Sequence, residues 1–148
     1  MFYDTVHTVN AADYTPAQLD AWAPRRIDAD AWARSLSAHF TVVAETDGVI
    51  SGFGDIDAGG YLDRLYVHRN YQRRGIASGI AERLERYAVR CGAARISTHA
   101  SFTARPFFEK RGYRVLRENT VIRHGTALTN FIMEKDAAPA STACTARR

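Results

Sequence analysis

A basic, glycine-containing loop between a strand-like run and an amphipathic helix is the feature that most constrains this chain. The run covers residues 61–67, and the loop reads Gln-Arg-Arg-Gly-Ile-Ala over residues 72–77. Apolar residues then recur at helical spacing, at Ile76, Ile80, Leu84, Tyr87, Ala88 and Cys91. The first N–H groups of a helix have no internal partner, and the helix dipole favours negative charge there. This segment is therefore predicted to bind an anion.

The residue types of the loop point to a phosphorylated cofactor. Gly75 has no Cβ, so the backbone can approach a ligand closely. Arg69, Arg73 and Arg74 add mobile positive charge around it. Other phosphate-binding motifs fail on spacing, because there is no G-x-x-x-x-G-K-[ST] loop and Gly75 and Gly79 do not make a dinucleotide fingerprint.

The strand, the Q/R-x-x-G-x-G/A loop and the helix together resemble the acetyl-CoA-binding signature of the GNAT (GCN5-related) N-acetyltransferase superfamily. Residues 65–68, Leu-Tyr-Val-His, also resemble the family's cofactor-binding strand. Residues 104–113, ARPFFEKRGY, are similar to its A-x-x-F-Y-E-K-x-G-F/Y segment. The resemblance covers residues 42–135. It implies the GNAT fold, an α/β (α+β) mixed and mostly antiparallel central sheet with helices on both faces, in one domain over residues 1–135.

The resemblance also implies acetyl-CoA as co-substrate and a set of residues that contact it. In the family the loop amides cradle the CoA pyrophosphate, and a backbone N–H of the preceding strand, here that of Val67 or a near neighbour, polarises the thioester carbonyl. Phenylalanine at Phe108 and serine at Ser101 replace the tyrosine and asparagine that many members carry. The implied cofactor-binding residues are Leu65, Tyr66, Val67, Gln72, Arg73, Arg74, Gly75, Ile76, Ala77, Ser101 and Phe108.

Acetyl transfer to an amine also needs groups that move protons. The ammonium must lose a proton before it attacks, and Asp63, His99 and Glu45 are the candidate bases. Phenylalanine at position 108 cannot donate a proton, so Tyr66 is the candidate acid. Tyr61 and Tyr113 remain open as alternatives.

These observations favour an N-acetyltransferase that transfers the acetyl group directly to a primary amine in a ternary complex. No cysteine occupies a matching position, which disfavours a covalent acetyl-enzyme. The alternative is a catalytically weak or inactive acetyl-CoA-binding sensor or partner-binding module, motivated by Phe108 and Ser101. The acceptor is expected to be a small molecule or a peptide, and Tyr14, Trp22 and Trp32 are expected to line its side of the cleft. A homodimer is implied by family analogy alone.

Composition and charge limit the number of domains, the classes of ligand and the cellular compartment. A chain of 148 residues fits one domain, and its net charge of +4 is spread along the sequence, so nucleic-acid binding is not expected. The five histidines are too scattered to indicate a metal site. No ~20-residue apolar run or export leader is present, and two cysteines, Cys91 and Cys144, make no disulfide framework. We expect a cytoplasmic protein without a metal.

The remaining sequence pattern predicts the other helices and strands and the character of the N-terminal and C-terminal segments. Helices are predicted to begin after Thr15 and Asp28, a hairpin to span residues 39–56, and further strands to cover residues 95–101, 113–119 and 128–134, with a helix at 103–111. The family opens with a strand, but residues 1–3 lead directly into helix-like sequence, so we expect the true start to lie upstream of Met1. Residues 136–148 are predicted to be a disordered tail.

Overall fold

The computed structural model describes residues 1–137, and a six-stranded sheet forms its centre. The spatial order is β1-β2-β3-β4-β6-β5, and each neighbouring pair is antiparallel except the parallel pair β3–β4. The predicted mixed, mostly antiparallel sheet is therefore confirmed. The strands are β1 (Phe40–Thr46), β2 (Val49–Ile56), β3 (Tyr61–Val67), β4 (Arg95–Ala100), β5 (Arg114–Arg123) and β6 (Thr126–Asp136).

Helices cover both faces of the sheet. They are α1 (Phe2–Val9), α2 (Pro16–Trp22), α3 (Ala29–Ala38), α4 (Ile76–Arg90) and α5 (Arg105–Lys110). The predicted helix starts are confirmed by their caps. Thr15 and Gln18 form a capping box at α2, and the Asp28 carboxylate accepts the Ala31 N–H at α3.

Two hydrophobic cores lie on opposite sides of the sheet. Beneath α4, the buried Ile80 and Leu84 pack so closely on β2 that a Cβ at Gly52 or Gly54 would lie 3.0 Å from Ile80. This close packing explains why β2 carries glycine at alternate positions. On the other face, Val6, Tyr14 and Leu19 form a second core against Leu128 of β6.

Strands β3 and β4 separate soon after they pair. Their pairing comprises Tyr61 with Ser97 and Leu62 with Thr98. On its other side β3 pairs with β2, where Asp55 faces Arg64 and Ile56 faces Leu62. One extra residue, Asp63, is therefore a β-bulge, and a bulge increases the local twist and re-aims the side chains around it. The bulge lies where β3 leaves β4, so the sheet opens into a cleft beyond Leu62.

The structure corrects several sequence predictions. The predicted tail starts too early, because Asp136 ends β6 and the Ala137 N–H donates to the Ala94 carbonyl at 3.0 Å. Strand β5 continues to Arg123, four residues beyond its predicted end, because pairing with β6 extends to the turn. Cys91 is exposed at the end of α4 instead of packing there. The rest of the predicted tail, with Cys144, lies outside the described residues.

The N-terminal region is helical, as its sequence indicates. Helix α1 begins at Phe2, and within residues 1–137 no strand precedes β1. Strand β1 pairs with β2 on one side only in the described part of the chain. None of the helices among these residues combines the length and apolar character that crossing a bilayer requires.

Candidate active site

The gap between β3 and β4 holds a cavity of about 210 Å³, which we call the β3–β4 cleft. Leu65 and Val67 line it from β3, Ala100 from β4, and Phe107 and Phe108 from α5. These parts of its walls are apolar. The cleft exists because β3 and β4, which are neighbours in the sheet, pair only at Tyr61–Ser97 and Leu62–Thr98 and then separate.

The exposed edge of β3 presents backbone groups to this cleft. The His68 N–H donates to the Ser51 carbonyl at 2.8 Å, so these two residues form a hydrogen-bonded pair of the β2–β3 ladder. Hydrogen-bonded and non-hydrogen-bonded pairs alternate in an antiparallel ladder. The pairs Gly52–Val67 and Gly54–Leu65 are therefore non-hydrogen-bonded, and the N–H groups of Val67 and Leu65 point toward β4. Beyond Leu62 no described residue of β4 pairs with them.

The basic loop lies at one end of the cleft and leads into α4. Gln72 and Ala77 line the cleft, whereas the side chains of Arg73 and Arg74 are exposed and line neither cavity. The Gln72 amide donates to the Val67 carbonyl at 2.7 Å and so fixes the loop to the end of β3. The side chain of Gln72 is therefore already engaged by the protein.

Gly75 and the start of α4 form the anion-binding geometry that the sequence predicts. Gly75 is the N-cap and has φ 81°, a left-handed conformation that favours glycine. With no side-chain cap hydrogen bond at this helix, the N–H groups of Ile76 and Ala77 face outward without an intrahelical partner. Helix α4 has 15 residues, so its full dipole favours an anion at this end.

A second cavity of about 440 Å³, which we call the large cavity, is lined by residues of α2, α3, β3, β4, β5 and β6. Tyr14, Trp22 and Trp32, the aromatic residues expected beside the acceptor, all line it. Arg123 and His124, at the turn between β5 and β6, form another part of its wall. This volume is typical of a site for a small molecule.

The two cavities share one wall. Five residues line both: Trp22, Asp63, Tyr66, His99 and Ser101. All three candidate catalytic residues, Asp63, His99 and Tyr66, are in this group. The Oγ atom of Ser101 accepts the Ala104 N–H at 3.0 Å, so this side chain also fixes the start of α5.

Within residues 1–137, the Tyr66 hydroxyl has no recorded acceptor for its proton. The Trp22 Nε1–H donates to the Tyr66 hydroxyl at 3.1 Å. Because an indole can only donate, the Tyr66 oxygen is the acceptor and its own O–H remains available to a ligand. Burial raises the pKa of Tyr66 to about 12, so the phenol stays protonated at neutral pH.

Asp63 and His99 differ in their surroundings. Asp63 is one-third exposed, and its Oδ2 lies 3.5 Å from Arg64 Nη1. His99 packs edge-on against Tyr61 at 5.3 Å between ring centroids. Burial lowers the pKa of His99 while the Asp63 charge opposes this shift, so the imidazole is neutral at pH 7 and can accept a proton.

A buried ionic network supports Arg64 beneath this wall. Asp55 is fully buried, and its Oδ2 accepts from Arg64 and His39 at 2.7 Å each. Burial raises the pKa of Asp55, although its partners His39 and Arg64 act against this shift. Its other oxygen, Oδ1, has no hydrogen-bond partner among the described residues.

The same network contains a group of potential metal ligands that the sequence did not indicate. Ligand atoms of His39, Asp55 and Asp63 all lie within 4.8 Å of one another. The Arg64 guanidinium contacts both carboxylates, at 2.7 and 3.5 Å, and would repel a cation placed between them. The group is thus held as an ion-pair network in which one buried atom, Asp55 Oδ1, has no hydrogen-bond partner among the described residues, and the absence of a metal stays a prediction.

Two of the other candidate residues, Glu45 and Tyr113, lie outside both cavities. Glu45 lies at the turn end of β1 and lines neither cavity. The Tyr113 hydroxyl is buried and donates to Glu85 at 2.8 Å, and it too lies outside both cavities. Phe108 is buried against the rings of Phe107 and Tyr113. Tyr61 lines the large cavity.

Sequence reasoning missed the contributions of Arg64, Arg123 and the bulge at Asp63. Arg64 lies 4.7 Å from the Trp32 ring centroid and so forms part of the large-cavity wall. Nothing in the local pattern distinguishes these arginines from the other basic residues. Their roles arise from pairings between strands that are far apart in the chain.

Comparison with known proteins agrees with this geometry. The family model for the acetyltransferase (GNAT) domain matches residues 10–135. The chain is 32% identical over 134 residues to the uncharacterized N-acetyltransferase YafP of Escherichia coli, covering 90% of this chain and 83% of YafP.

Two solved structures illustrate the likeness of the fold. A GCN5-related N-acetyltransferase from Rhodopseudomonas palustris is 35% identical, with a TM-score of 0.88 and coverage of 91% of this chain and 84% of that protein. The yncA protein of Salmonella typhimurium, solved with acetyl-CoA, is 20% identical with a TM-score of 0.64, covering 93% and 87%. The six-stranded sheet, the split between β3 and β4 and the family-model match agree: the chain belongs to the GNAT acetyltransferase family.

Proposed function

We propose that this protein transfers an acetyl group from acetyl-CoA to a primary amine by direct attack in a ternary complex. Acetyl-CoA occupies the β3–β4 cleft, and the amine reaches it from the large cavity. Family membership supports acetyl-CoA-dependent acetyl transfer. The observation that carries the rest is the wall shared by the two cavities, which contains Asp63, Tyr66 and His99.

Cofactor binding is assigned to backbone groups of α4 and of β3. The free N–H groups at the start of α4 receive the pyrophosphate, and Arg69, Arg73 and Arg74 add positive charge outside them. Along β3, the N–H of Val67 or Leu65 donates to the thioester oxygen. Such a donor stabilises the oxyanion that develops when the amine attacks the carbonyl carbon.

Proton movement is assigned to the shared wall. Asp63 or His99 takes the proton from the ammonium, either directly or through water, and the neutral nitrogen then forms the C–N bond. The nitrogen, now bonded to the carbonyl carbon, loses its second proton to solvent water as the C–S bond breaks, and the free O–H of Tyr66 donates a hydrogen bond to the departing sulfur. A thiol has an ordinary pKa of about 8.5, so the thiolate leaves without needing full proton transfer from Tyr66.

Calorimetric titration of acetyl-CoA tests the cofactor site. The Gly75→Glu variant places a negative charge and a strained side chain at the N-terminus of α4. Gly92→Glu is the matched control, because Gly92 follows the other end of α4, has a similar φ of 85° and also has open space where a Cβ would lie. We expect binding by the parent and the Gly92 variant, and a loss of about 100-fold or more for Gly75→Glu, as expected when an anion site gains a like charge.

Each outcome has a clear meaning. Equal binding by the Gly75→Glu and Gly92→Glu variants would contradict the assignment of the pyrophosphate to α4. Acetyl transfer is then followed as release of free CoA thiol with a panel of amines. Binding without transfer to any amine would instead support the alternative of an acetyl-CoA-binding module, which Phe108 and Ser101 first suggested.

A further inference from the structure

The large cavity contains positive charge that the protein does not neutralise. Arg123 lies at the end of β5 and lines the cavity, and within residues 1–137 no carboxylate is within ion-pair distance of it. The same holds for Arg26 in the described part of the chain. The third arginine of the wall, Arg64, is neutralised by the buried Asp55 at 2.7 Å.

The lining of the large cavity also contains negative charge. Asp63 is in the wall shared with the β3–β4 cleft, where an acetyl acceptor must place its nitrogen. The other acid of the lining, Asp28, caps α3 through the Ala31 N–H at 3.0 Å. A ligand that spans the cavity therefore meets a carboxylate at the shared wall and unpaired guanidinium groups elsewhere.

We propose that the acceptor is a small amine that also carries a carboxylate, an amino-acid-like compound with its nitrogen at Asp63 and its carboxylate at Arg123. This inference rests on the proposed acetyl transfer. Guanidinium groups recognise carboxylates through paired N–H···O bonds, which gives Arg123 a suitable chemistry. The aromatic rings of Tyr14, Trp22 and Trp32 then enclose the apolar part of the acceptor.

The position of Arg123 fits this arrangement. Burial raises the pKa of both Tyr61 and Tyr66, and the positive charge of Arg123 acts against this rise in each. Arg123 is thus near enough to both hydroxyls to interact with them electrostatically, and one of these, that of Tyr66, is in the shared wall. One small molecule can contact Arg123 and the Tyr66 side of the wall at once within a volume of about 440 Å³.

Other classes of amine fit less well. A polyamine would bring several positive charges into a cavity that already has unpaired Arg26 and Arg123. A neutral amine would offer no negative group to Arg26 or Arg123, which are exposed to solvent and line the cavity. The excess positive charge therefore favours an acceptor with an anionic group.

A binding panel tests the proposal without requiring turnover. The protein is saturated with CoA, and calorimetry measures the binding of the twenty free amino acids, each beside its carboxamide and its decarboxylated amine. We expect at least one amino acid to bind about tenfold or more tightly than its carboxamide, as expected for a charge-assisted contact.

Two variants assign the effect to Arg123. In Arg123→Gln the preference for the free acid over the carboxamide should fall to about twofold or less, mainly through weaker binding of the acid. Arg83→Gln is the control, because it removes the same charge from an exposed position of α4 that lines neither cavity. The control should keep the preference, and near-ultraviolet circular dichroism verifies the fold of both variants.

The results separate this inference from the proposed function. If carboxylate-bearing amines bind but are not acetylated, the inferred class of ligand is supported and the proposed acetyl transfer is contradicted. If other amines are acetylated while every carboxylate-bearing amine binds no better than its carboxamide, the transfer stands and the inference is overturned. An unchanged preference in Arg123→Gln also overturns it.

Discussion

The β3–β4 cleft and the large cavity differ in how the chain builds them. The cleft is lined mainly by two short stretches, residues 62–77 from β3 to the start of α4 and residues 98–108 from β4 to α5. The large cavity is assembled from segments far apart in the sequence, including α2, α3, β3 and the β5–β6 turn. Each stretch of the cleft contains a motif that can be read locally, whereas the large cavity has no such motif.

The two sites also use different chemical groups. The cleft offers backbone N–H groups from β3 and from the start of α4, which remain when side chains change. The large cavity presents aromatic and charged side chains, which any substitution alters. The account therefore predicts that substitutions in the large cavity change the acceptor or the rate while leaving acetyl-CoA binding intact.

Asp63→Asn should produce the largest separation between the two sites. This change removes a candidate base, and general-base catalysis contributes about 10²–10⁴-fold, so we expect kcat to fall about 100-fold. The dissociation constant for acetyl-CoA should change less than about twofold, because backbone groups bind the cofactor. Initial rates and calorimetry measure the two effects. An unchanged pH–rate profile in the variant would eliminate Asp63 as the base.

Glu85→Gln should affect the scaffold and leave the chemistry unchanged. Burial disfavours the charge of Glu85, but hydrogen bonds from Arg111 and Tyr113 outweigh it and lower the pKa of this carboxyl. We expect the variant to lose about 2 kcal/mol of stability at pH 7 in urea unfolding, because a partly buried, hydrogen-bonded ion pair is broken.

The pH dependence of this loss follows from the direction of the shift. A lowered pKa in the folded state contributes stability above the unfolded pKa of about 4.3, and the contribution disappears as pH falls through the lower folded value. The difference between parent and Glu85→Gln should thus be largest near neutral pH and shrink toward pH 3. A difference that grows on acidification would contradict the structure around Glu85.

Tyr66→Phe should have a moderate effect on the rate. The change removes the hydrogen bond that we propose to the departing sulfur, and it also leaves Trp22 Nε1 without its acceptor at 3.1 Å. We expect kcat to fall about tenfold, the equivalent of one charge-assisted hydrogen bond. Trp22→Phe is the control, since it removes the indole donor while the Tyr66 hydroxyl remains. If Trp22→Phe lowers kcat as much as Tyr66→Phe does, the hydroxyl has no role of its own.

His99→Gln should change the pH profile more than the rate at pH 8. Burial lowers the pKa of His99 below its ordinary value. If His99 is the base, kcat/KM of the parent should decline on acidification with a midpoint below the ordinary histidine value of about 6.5, and this limb should vanish in the variant. Persistence of the same limb would assign it to another group.

The sequence predicts β3, the basic loop and α4 well because the determinants of these elements are local. Gly75 and the helical spacing of Ile80 and Leu84 mark the loop and α4, and both lie within a few residues of β3. The hairpin predicted over residues 39–56 likewise corresponds to β1 and β2. Local patterns of this kind fix the elements and their order.

The rest depends on pairing that a single sequence does not reveal. The bulge at Asp63 exists because Ile56 pairs with Leu62 while Asp55 pairs with Arg64. The buried network of His39, Asp55 and Arg64 and the position of Arg123 arise in the same way, from contacts between different strands and helices. These features decide which charges face the acceptor.

The decisive experiment is a crystal structure with bound acetyl-CoA or with a stable thioether analogue. We expect the pantetheine arm in the β3–β4 cleft and the acetyl oxygen about 2.7–3.1 Å from the amide nitrogen of Val67 or Leu65. We also expect the sulfur beside the Tyr66 hydroxyl. An acetyl group outside the cleft, or one that faces away from the wall shared with the large cavity, would contradict it.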